Sequence, residues 1–341
     1  MTVNVGFVGT GGRTFHEVVS LSHLPDVAVT GLCDIQPEAL ERIRLRVNQR
    51  LVGEAPPLEA PGFTDVRAML EQAPLDAVYV SLPPFAHGAV EHAVLDAGKA
   101  LMVEKPVALS MGVAREIDAH VRQSGVFAAV AYQWRYSSAV QRAREVLAGV
   151  PVGMVMAVRW SPLPGTPWWR VQSKSGGMLI EQHTHCIDLL RYLCGEVREV
   201  YAMAATALLT DVPNLDIADV NTVSLRLANG GVGIIANSCA APAAFPGFHS
   251  YVHIVAKDLV LAVSLGNGLA VLRGRGDRQD YPEEVDPNLE MNKAFIEAVR
   301  SGDRSLIRCP YEEGMRTFEL TYAAHLSATE RRLVRIGEDY P

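Results

Sequence analysis

The sequence predicts two domains: an α/β domain with a doubly wound parallel sheet, then an α+β domain with a large, mostly antiparallel, open-faced sheet and helices. Three observations support this fold class. The 341 residues exceed what one hydrophobic core usually organises. The first third alternates short apolar runs with helical patterns, and the second half alternates apolar with polar residues and turns at Asn-Gly pairs. We place the domains at 1–130 and 131–341, with the C-terminal helix able to pack back toward the first domain.

In the first domain, strands and helices follow each other in strict alternation. The predicted strands are "VNVGFVG", "VAVTGLCD", "LDAVYVSLP", "ALMVE" and "VFAAVAY", and helical patterns such as "PEALERIRLRVNQRL" lie between them. Pro37 opens that helix at a position where proline is favoured. Strands of nearly continuous Val, Ala and Leu are typical of a parallel sheet that is covered on both faces.

In the second domain, apolar residues occur at every second position. Val223, Leu225 and Leu227 alternate with polar residues before a turn at Asn229-Gly230, and a second Asn-Gly pair separates "LVLAVSL" from "LAVLRG". Asn-Gly between alternating segments is the strongest short hairpin signal. The pattern predicts an antiparallel sheet with one covered face, followed by two helices.

Composition excludes several classes of partner. The net charge of -7 argues against nucleic acid and against anionic lipid surfaces. The longest apolar stretches are too short to span a bilayer, and no basic n-region opens a signal peptide. Five cysteines without a C-x-x-C pair indicate buried, reduced thiols. We therefore expect a cytoplasmic protein that acts on a small molecule.

A glycine-rich loop follows the first strand, in "FVGTGGRTF". Such a loop lets backbone N–H groups at a helix N-terminus approach a pyrophosphate, although Thr14 stands where a third glycine is usual. Asp34 ends the next strand, where a carboxylate accepts hydrogen bonds from a ribose 2′-OH and repels a 2′-phosphate. This favours NAD, with NADP as the alternative because Arg13 offsets part of the repulsion. The predicted cofactor-binding residues here are Gly9, Thr10, Gly11, Gly12, Arg13 and Asp34.

The segment "LMVEKPVALS" places Lys105 at the carboxyl end of a buried parallel strand. Ligands bind at that edge of open α/β sheets. A lysine usually lies on a solvated face, but this one follows four apolar residues and Glu104 and precedes a proline. We therefore predict a functional lysine; whether the Lys105-Pro106 peptide bond is cis stays open.

These motifs together carry a family resemblance. The Glu-Lys-Pro tripeptide, "GTGG", "SLPPFAH", "SGGMLIEQHTHCIDLLRYLCG" and the closing "YEEGMRTFELTYAAHLSA" resemble the glucose–fructose oxidoreductase / inositol dehydrogenase / rhizopine-catabolism (Gfo/Idh/MocA) family over nearly the whole chain. The resemblance implies an N-terminal Rossmann domain and a homodimer or homotetramer formed through the open sheet face. It also implies NAD- or NADP-dependent oxidation or reduction of a sugar or cyclitol carbon, with Lys105 as the catalytic lysine. The further cofactor contacts that it implies are Ser81, Leu82, Pro83, His87, Glu104, Lys105 and Trp169.

The segment "GGMLIEQHTHCIDLL" raises the question of a metal site. Glycines before and after it predict one helix over about residues 178–194. On a helix, His183 and His185 point about 160° apart and cannot share a metal ion, whereas helical zinc sites use i, i+4 spacing. We therefore predict no metal, and a structural role for His183.

The same helical wheel puts Glu181, His185, Asp188 and Tyr192 on one face. A carboxylate next to an imidazole fixes its tautomer and supports its protonated form. The resemblance implies that His185 is the catalytic histidine and that Glu181 stands where the family usually has Asp. The longer side chain leaves open whether Glu181 contacts substrate or only orients His185.

The expected reaction is reversible hydride transfer at a secondary alcohol carbon. His185 acts as general base and Lys105 stabilises charge on the reacting oxygen. Two alternatives stay open: NAD-dependent elimination of a glycosidic group with net hydrolysis, and a non-catalytic regulator that senses dinucleotide or sugar. Function and packing explain Trp168 and Trp169 equally well. The residues predicted to bind substrate are Asp188, Trp134, Arg159, Trp168 and Arg170.

Overall fold

The computed structural model describes residues 2–242 and 250–340. The chain separates into two compact units. The first comprises Met1–Ala108, Gly112–Gln133 and Pro287–Gly314, and the second comprises Leu109–Met111, Trp134–Asp286 and Met315–Pro341. The chain passes from the first unit to the second between Gln133 and Trp134, within a few residues of the predicted boundary at 130/131. Residues 287–314, however, belong to the first unit, whereas the division drawn from the sequence placed them in the second.

The first unit contains a six-stranded sheet in which every neighbouring pair is parallel, in the order β3-β2-β1-β4-β5-β6. The predicted doubly wound domain is therefore confirmed. Strand β3 has only two residues, too few to produce a periodic sequence pattern, and was not predicted. The strands are β1 Val3–Val8, β2 Val27–Cys33, β3 Gly62–Phe63, β4 Ala77–Val80, β5 Ala100–Val103 and β6 Ala128–Val130.

Helices connect these strands, and one helix arrives from late in the chain. In α10, Asn292 accepts a hydrogen bond from the Tyr79 hydroxyl at 2.8 Å, and Phe295 meets the Tyr79 ring edge-on. These buried contacts explain why a distant segment belongs to the first unit. The helices with residues in this unit are α1 Gly12–Leu21, α2 Pro37–Arg50, α3 Val66–Gln72, α4 Ala89–Asp96, α5 Met111–Ser124, α10 Pro287–Ser301 and the beginning of α11 Tyr311–Glu330.

The second unit contains a nine-stranded sheet in the order β14-β13-β12-β11-β7-β10-β9-β8-β15. All neighbouring pairs are antiparallel except β7 with β10. Both Asn-Gly pairs turn where predicted, between β9 and β10 and between β12 and β13. The strands are β7 Val152–Trp160, β8 Val197–Ala205, β9 Val220–Leu227, β10 Val232–Ser238, β11 Ser250–Ala256, β12 Leu259–Ser264, β13 Gly268–Arg273, β14 Asp277–Pro282 and β15 Val334–Arg335.

One face of this sheet is covered and the other is open. Ile235, Leu225 and Val252 are buried, and the intervening residues of the same strands are more exposed, as the alternation predicts. The helices of the unit are α6 Ser138–Val146, α7 Gln172–Ser175, α8 Gly177–Glu181, α9 Thr184–Cys194 and the rest of α11. All five cysteines are buried with free thiols. No helix in the described ranges is long and apolar enough to cross a membrane.

Candidate active site

The glycine loop joins β1 to α1 and leaves the start of the helix open. Gly9 has φ +83°, and a Cβ there would lie 2.4 Å from the Ser81 carbonyl oxygen, so only glycine is accommodated. Apart from the adjoining backbone, a Cβ on Gly11 or Gly12 would meet no described atom within 4 Å. Gly11 also provides no side-chain cap for α1. Open space beside uncapped helix N–H groups suits the pyrophosphate of a dinucleotide.

Thr14 replaces the third glycine of the motif and has a definite role. Its side chain is fully buried, and its hydroxyl donates a 2.5 Å hydrogen bond to the Gly9 carbonyl. The hydroxyl therefore fastens the loop to the first turn of α1.

Asp34 lies directly after β2, next to the loop. Its Oδ2 accepts hydrogen bonds from the Thr10 backbone N–H at 2.9 Å and from the Thr10 hydroxyl at 2.8 Å. Its Oδ1 accepts from the Gln36 backbone N–H at 3.0 Å. These three donors fix the carboxylate beside the loop, where the sequence predicts the ribose of the cofactor.

Arg13, which the sequence analysis expected to offset part of the repulsion of a 2′-phosphate, pairs instead with two carboxylates of its own unit. Its Nε donates to Glu104 Oε1 at 2.6 Å, and its Nη2 forms an ion pair with Glu17. Glu17 is fully buried; burial, opposed by Arg13 and reinforced by Glu104, raises its pKa to about 7. Arg13 is thus engaged by two carboxylates and connects α1 to the Glu-Lys-Pro segment.

Lys105 follows Glu104 at the carboxyl end of β5 and is half-buried. The Lys105-Pro106 peptide bond, which the sequence left open, is cis. Ser81 follows the neighbouring strand β4, and its backbone N–H donates to the Val8 carbonyl at 2.8 Å. The loop, Ser81 and Lys105 therefore follow three adjacent parallel strands at one edge of the sheet.

The other predicted cofactor contacts differ in their surroundings. Leu82 and Pro83 are half-buried after Ser81. The His87 side chain is enclosed, and its Nδ1 lies 2.5 Å from Glu91 Oε1. Glu91 also accepts from the Gly88 backbone N–H at 2.7 Å, at the start of α4. The His87 ring thus stabilises the beginning of a helix.

In the second unit, the predicted helix over 178–194 is interrupted. Helix α8 ends at Glu181 and α9 begins at Thr184, so the phase of one continuous helix does not apply across this break. His183 lies in the break and is fully buried. Burial and, to a smaller degree, the nearby Arg159 cation lower the pKa of His183 to about 3, so its ring is neutral near pH 7. His185 is half-buried in the first turn of α9.

Glu181 has a partner that the sequence analysis missed. Its Oε2 accepts a 2.6 Å hydrogen bond from the indole N–H of Trp169. Trp169 is only 2% exposed and packs with Met178, Ile217 and Cys239. Packing therefore accounts for the Trp169 ring, and the indole holds the Glu181 carboxylate in place.

Asp188, which was predicted to bind substrate, is engaged by side chains of its own unit. It is buried and receives two hydrogen bonds from Arg135, Nε to Oδ2 at 2.9 Å and Nη2 to Oδ1 at 2.7 Å. The Thr317 hydroxyl adds a third bond to Oδ1, at 2.8 Å. Both oxygens are thus occupied by residues of the same unit, and Asp188 has a structural role.

The remaining predicted substrate residues lie at several places in the second unit. Trp168 packs against the Trp169 cluster, and the Trp134 ring lies over Gly266. Arg159 donates to Ser250 Oγ at 2.6 Å and to Gln182 Oε1 at 2.9 Å, and Arg170 is half-buried. Within the described part of the chain, no three His, Cys, Asp or Glu side chains are grouped to hold a metal ion.

Comparisons with known proteins agree with this architecture. Residues 3–132 match the model of the oxidoreductase family with an NAD-binding Rossmann fold, and residues 136–255 match the GFO/IDH/MocA C-terminal domain. Myo-inositol 2-dehydrogenase of Thermotoga maritima is 23% identical over 98% of this chain and 99% of its own. Inositol 2-dehydrogenase of Rhizobium meliloti is 24% identical over 99% of this chain and all of its own.

A solved structure confirms the fold over the full length. An oxidoreductase from Agrobacterium radiobacter, in complex with NAD+, L-tartaric acid and magnesium, superposes with a TM-score of 0.84, at 18% identity and 99% coverage of both chains. The two family models match in order and together span most of the sequence. The chain therefore belongs to the Gfo/Idh/MocA family and is an NAD-binding oxidoreductase that acts on CH–OH groups.

Proposed function

We propose that this protein transfers hydride reversibly between NAD and a secondary alcohol or ketone carbon of a sugar, a sugar derivative or a cyclitol. The observation that carries the proposal is the half-buried Lys105 at the carboxyl edge of a sheet whose glycine loop and Asp34 suit a dinucleotide. The full-length relatives named as inositol dehydrogenases support the substrate class. When bound, NAD supplies the hydride acceptor or donor.

The chain's own residues would perform the proton and charge chemistry. Lys105, as a cation, donates a hydrogen bond to the reacting oxygen and stabilises the negative charge that develops on it. His185 accepts the hydroxyl proton as general base. Glu181, held by the Trp169 indole, orients His185 or a substrate hydroxyl. Pocket contacts are assigned to Trp134, Arg159, Trp168 and Arg170.

The preference for NAD over NADP rests on Asp34. Three hydrogen bonds hold its carboxylate at the end of β2. A fixed carboxylate at this position accepts from ribose hydroxyls and repels a 2′-phosphate. Arg13 is paired with Glu104 and Glu17 and does not offset that repulsion.

A second copy of the chain would cover the open face of the nine-stranded sheet. This face carries large exposed apolar side chains on adjacent strands, a pattern that marks interaction surfaces. Light scattering at micromolar concentration should give a dimer or a tetramer, and Met203→Lys with Ile234→Lys should give a monomer. A monomeric wild type would contradict this assignment. The exposed residues of the patch are Met154, Trp160, Tyr201, Met203, Val232, Ile234, Val255 and Leu272.

The reaction is tested with a substrate panel. NADH formation is followed by the absorbance of the reduced nicotinamide after purified protein and NAD+ are mixed with each candidate substrate. The candidates are cyclitols, aldoses, sugar acids and glycosides. Net NADH from a polyol supports the proposal. Release of an aglycone without net NADH would identify elimination, and cofactor binding without turnover of any compound would identify a regulator.

A further inference from the structure

Arg159 is a half-buried cation, and its hydrogen-bond partners among the described residues are neutral. Its guanidinium donates to the Ser250 hydroxyl and to the Gln182 side-chain oxygen, and its buried Nε has no hydrogen-bond partner. No carboxylate of the described residues lies within 4 Å of it. Arg135 and Arg191, by contrast, pair with Asp188 and Glu196. Burying a guanidinium is costly unless an anion compensates its charge.

Polar side chains flank Arg159 on both sides across the sheet. Ser250, Arg159, Asn237 and Asn221 are cross-strand partners on β11, β7, β10 and β9. Directly paired residues point to the same face, so these four side chains form one row. Asn221 donates to Asn237 Oδ1 at 2.8 Å, which leaves the buried Nδ2 of Asn237 without a partner. The row therefore contains unused donors next to an uncompensated positive charge.

His183 adds a third unused group beside Arg159. Its ring is fully buried, and neither ring nitrogen has a hydrogen-bond partner in the described structure. His183 directly follows Gln182, whose side-chain oxygen accepts a hydrogen bond from Arg159 at 2.9 Å, and the Arg159 cation helps to lower the pKa of the ring. A neutral imidazole offers one N–H donor without adding a second positive charge. Buried polar groups without partners are rare in native proteins and indicate a missing ligand atom or water.

We propose that Arg159, with Asn237 and His183, binds a carboxylate of the substrate, which is therefore a sugar acid rather than a neutral sugar or cyclitol. The single positive charge of the guanidinium, surrounded by neutral donors, is balanced by the single negative charge of a carboxylate. The planar guanidinium can also donate hydrogen bonds to both oxygens of a planar carboxylate. A phosphate dianion carries two negative charges, so one of them would stay unbalanced in this site. A neutral sugar would leave the positive charge of Arg159 without a counter-ion. This inference rests on the proposed function, because it names the substrate class of the same reaction.

Binding to the wild-type protein gives the first test and needs no variant. In the presence of NADH, affinities are measured by calorimetry for D-glucuronate, D-galacturonate and D-gluconate and for their neutral counterparts D-glucose, D-galactose and D-glucitol. At least one acid should bind about 100-fold more tightly than its neutral counterpart, as expected for a charge-assisted contact of this kind. Equal affinities within every pair, or no measurable binding of any acid, would overturn the inference.

Variants then test whether Arg159 is the cause. Arg159→Gln should abolish the preference for the acid, and Arg159→Lys should restore part of it because the charge remains without the fork. Arg278→Gln, which removes a solvent-exposed arginine paired with Asp280, is the matched control and should keep the full preference. A preference that survives in a folded Arg159→Gln protein would place the carboxylate elsewhere.

Failure of this inference can be told from failure of the proposed function. NADH formed from neutral polyols, without any preference for acids, overturns the carboxylate site and leaves hydride transfer standing. Arg159-dependent binding of an acid, with no NADH formed from any member of the panel, leaves the site standing and overturns hydride transfer.

Discussion

Arg135 and Asp188 form a buried, two-point ion pair in the second unit, with nitrogen–oxygen distances of 2.9 and 2.7 Å. The side chains are 2% and 1% exposed, and the Thr317 hydroxyl completes the hydrogen bonding of the carboxylate. Asp188 stands three residues after His185 in α9. The pair shows that this carboxylate holds α9 to neighbouring elements, and we therefore expect Asp188 to act in stability.

Removal of this carboxylate should therefore destabilise the protein more than it changes substrate affinity. Asp188→Ala leaves the Arg135 cation buried without its partner, which should lower the free energy of unfolding by about 3–5 kcal/mol. Guanidinium denaturation measures the change. Asp280→Asn, in the exposed pair with Arg278, should cost much less, because solvent screens that pair. A stable Asp188→Ala protein with a raised KM would instead restore Asp188 to the substrate site.

Lys105 and His185 are each expected to act in the chemical step. Lys105→Met and His185→Ala should each lower kcat by about 10²–10⁴-fold, because each removes a group that acts in the transition state. Both variants should still bind NAD, which a fluorescence titration measures. Lys293→Met, at an exposed lysine paired with Glu290, is the control and should keep wild-type kcat. Near-normal turnover in both Lys105→Met and His185→Ala would contradict the assignment.

The fold could be predicted because its signals are local. Continuous Val, Ala and Leu runs such as Ala77–Val80 indicate buried parallel strands, and Asn229-Gly230 marks a hairpin that the structure confirms. The membership of Pro287–Ser301 in the first unit could not be predicted in the same way. It depends on contacts of Asn292 and Phe295 with Tyr79, more than 200 positions away, which no periodicity encodes.

The site was harder to predict because its partners are distant in sequence. The glycine loop and Asp34 show a recognised spacing, but the hydrogen bonds from Thr10 to Asp34 were not predicted. Glu181, however, is held by Trp169, whose indole reaches it from a separate segment. The helical wheel also failed at the break between α8 and α9, where His183 interrupts a segment whose pattern is continuous.

Asp34 should determine the choice of cofactor. Asp34→Ser removes the negative charge but keeps a small polar side chain at the end of β2. The ratio of kcat/KM for NADP to that for NAD should rise by at least about tenfold, which corresponds to about 1.4 kcal/mol. Initial rates with both cofactors measure it. Asp26→Ser, at an exposed carboxylate paired with Arg300, should leave the ratio unchanged. An unchanged ratio in Asp34→Ser would show that another group selects the cofactor.

The hydrogen bond from Trp169 to Glu181 should support turnover through positioning. Trp169→Phe keeps most of the ring volume but removes the donor, so the buried carboxylate loses a partner at a cost of about 1–3 kcal/mol in stability. We expect kcat to fall more than KM rises, because the misplaced group is needed in the transition state. Tyr281→Phe, which removes an exposed hydroxyl that donates to Gln279, is the control. If Trp169→Phe lowered stability but left kcat and KM unchanged, the hydrogen bond to Glu181 would have a structural role only.

His183 should make the folded state sensitive to acid. The pKa of His183 is about 3 in the folded protein, against the ordinary histidine value of 6.5. Burial is the larger cause and the Arg159 cation the smaller one, because both disfavour the protonated ring. Below pH 6.5 the histidine is protonated in the unfolded chain but stays neutral in the folded protein. The stability of the folded protein that depends on this neutral ring is therefore fully present above pH 6.5 and is lost as the pH falls toward 3. His183→Gln cannot titrate. Its free energy of unfolding, minus that of the wild type, should therefore rise by about 2 kcal/mol between pH 6.5 and 4.5. If the His183→Gln curve ran parallel to that of the wild type, the ring would protonate inside the folded protein.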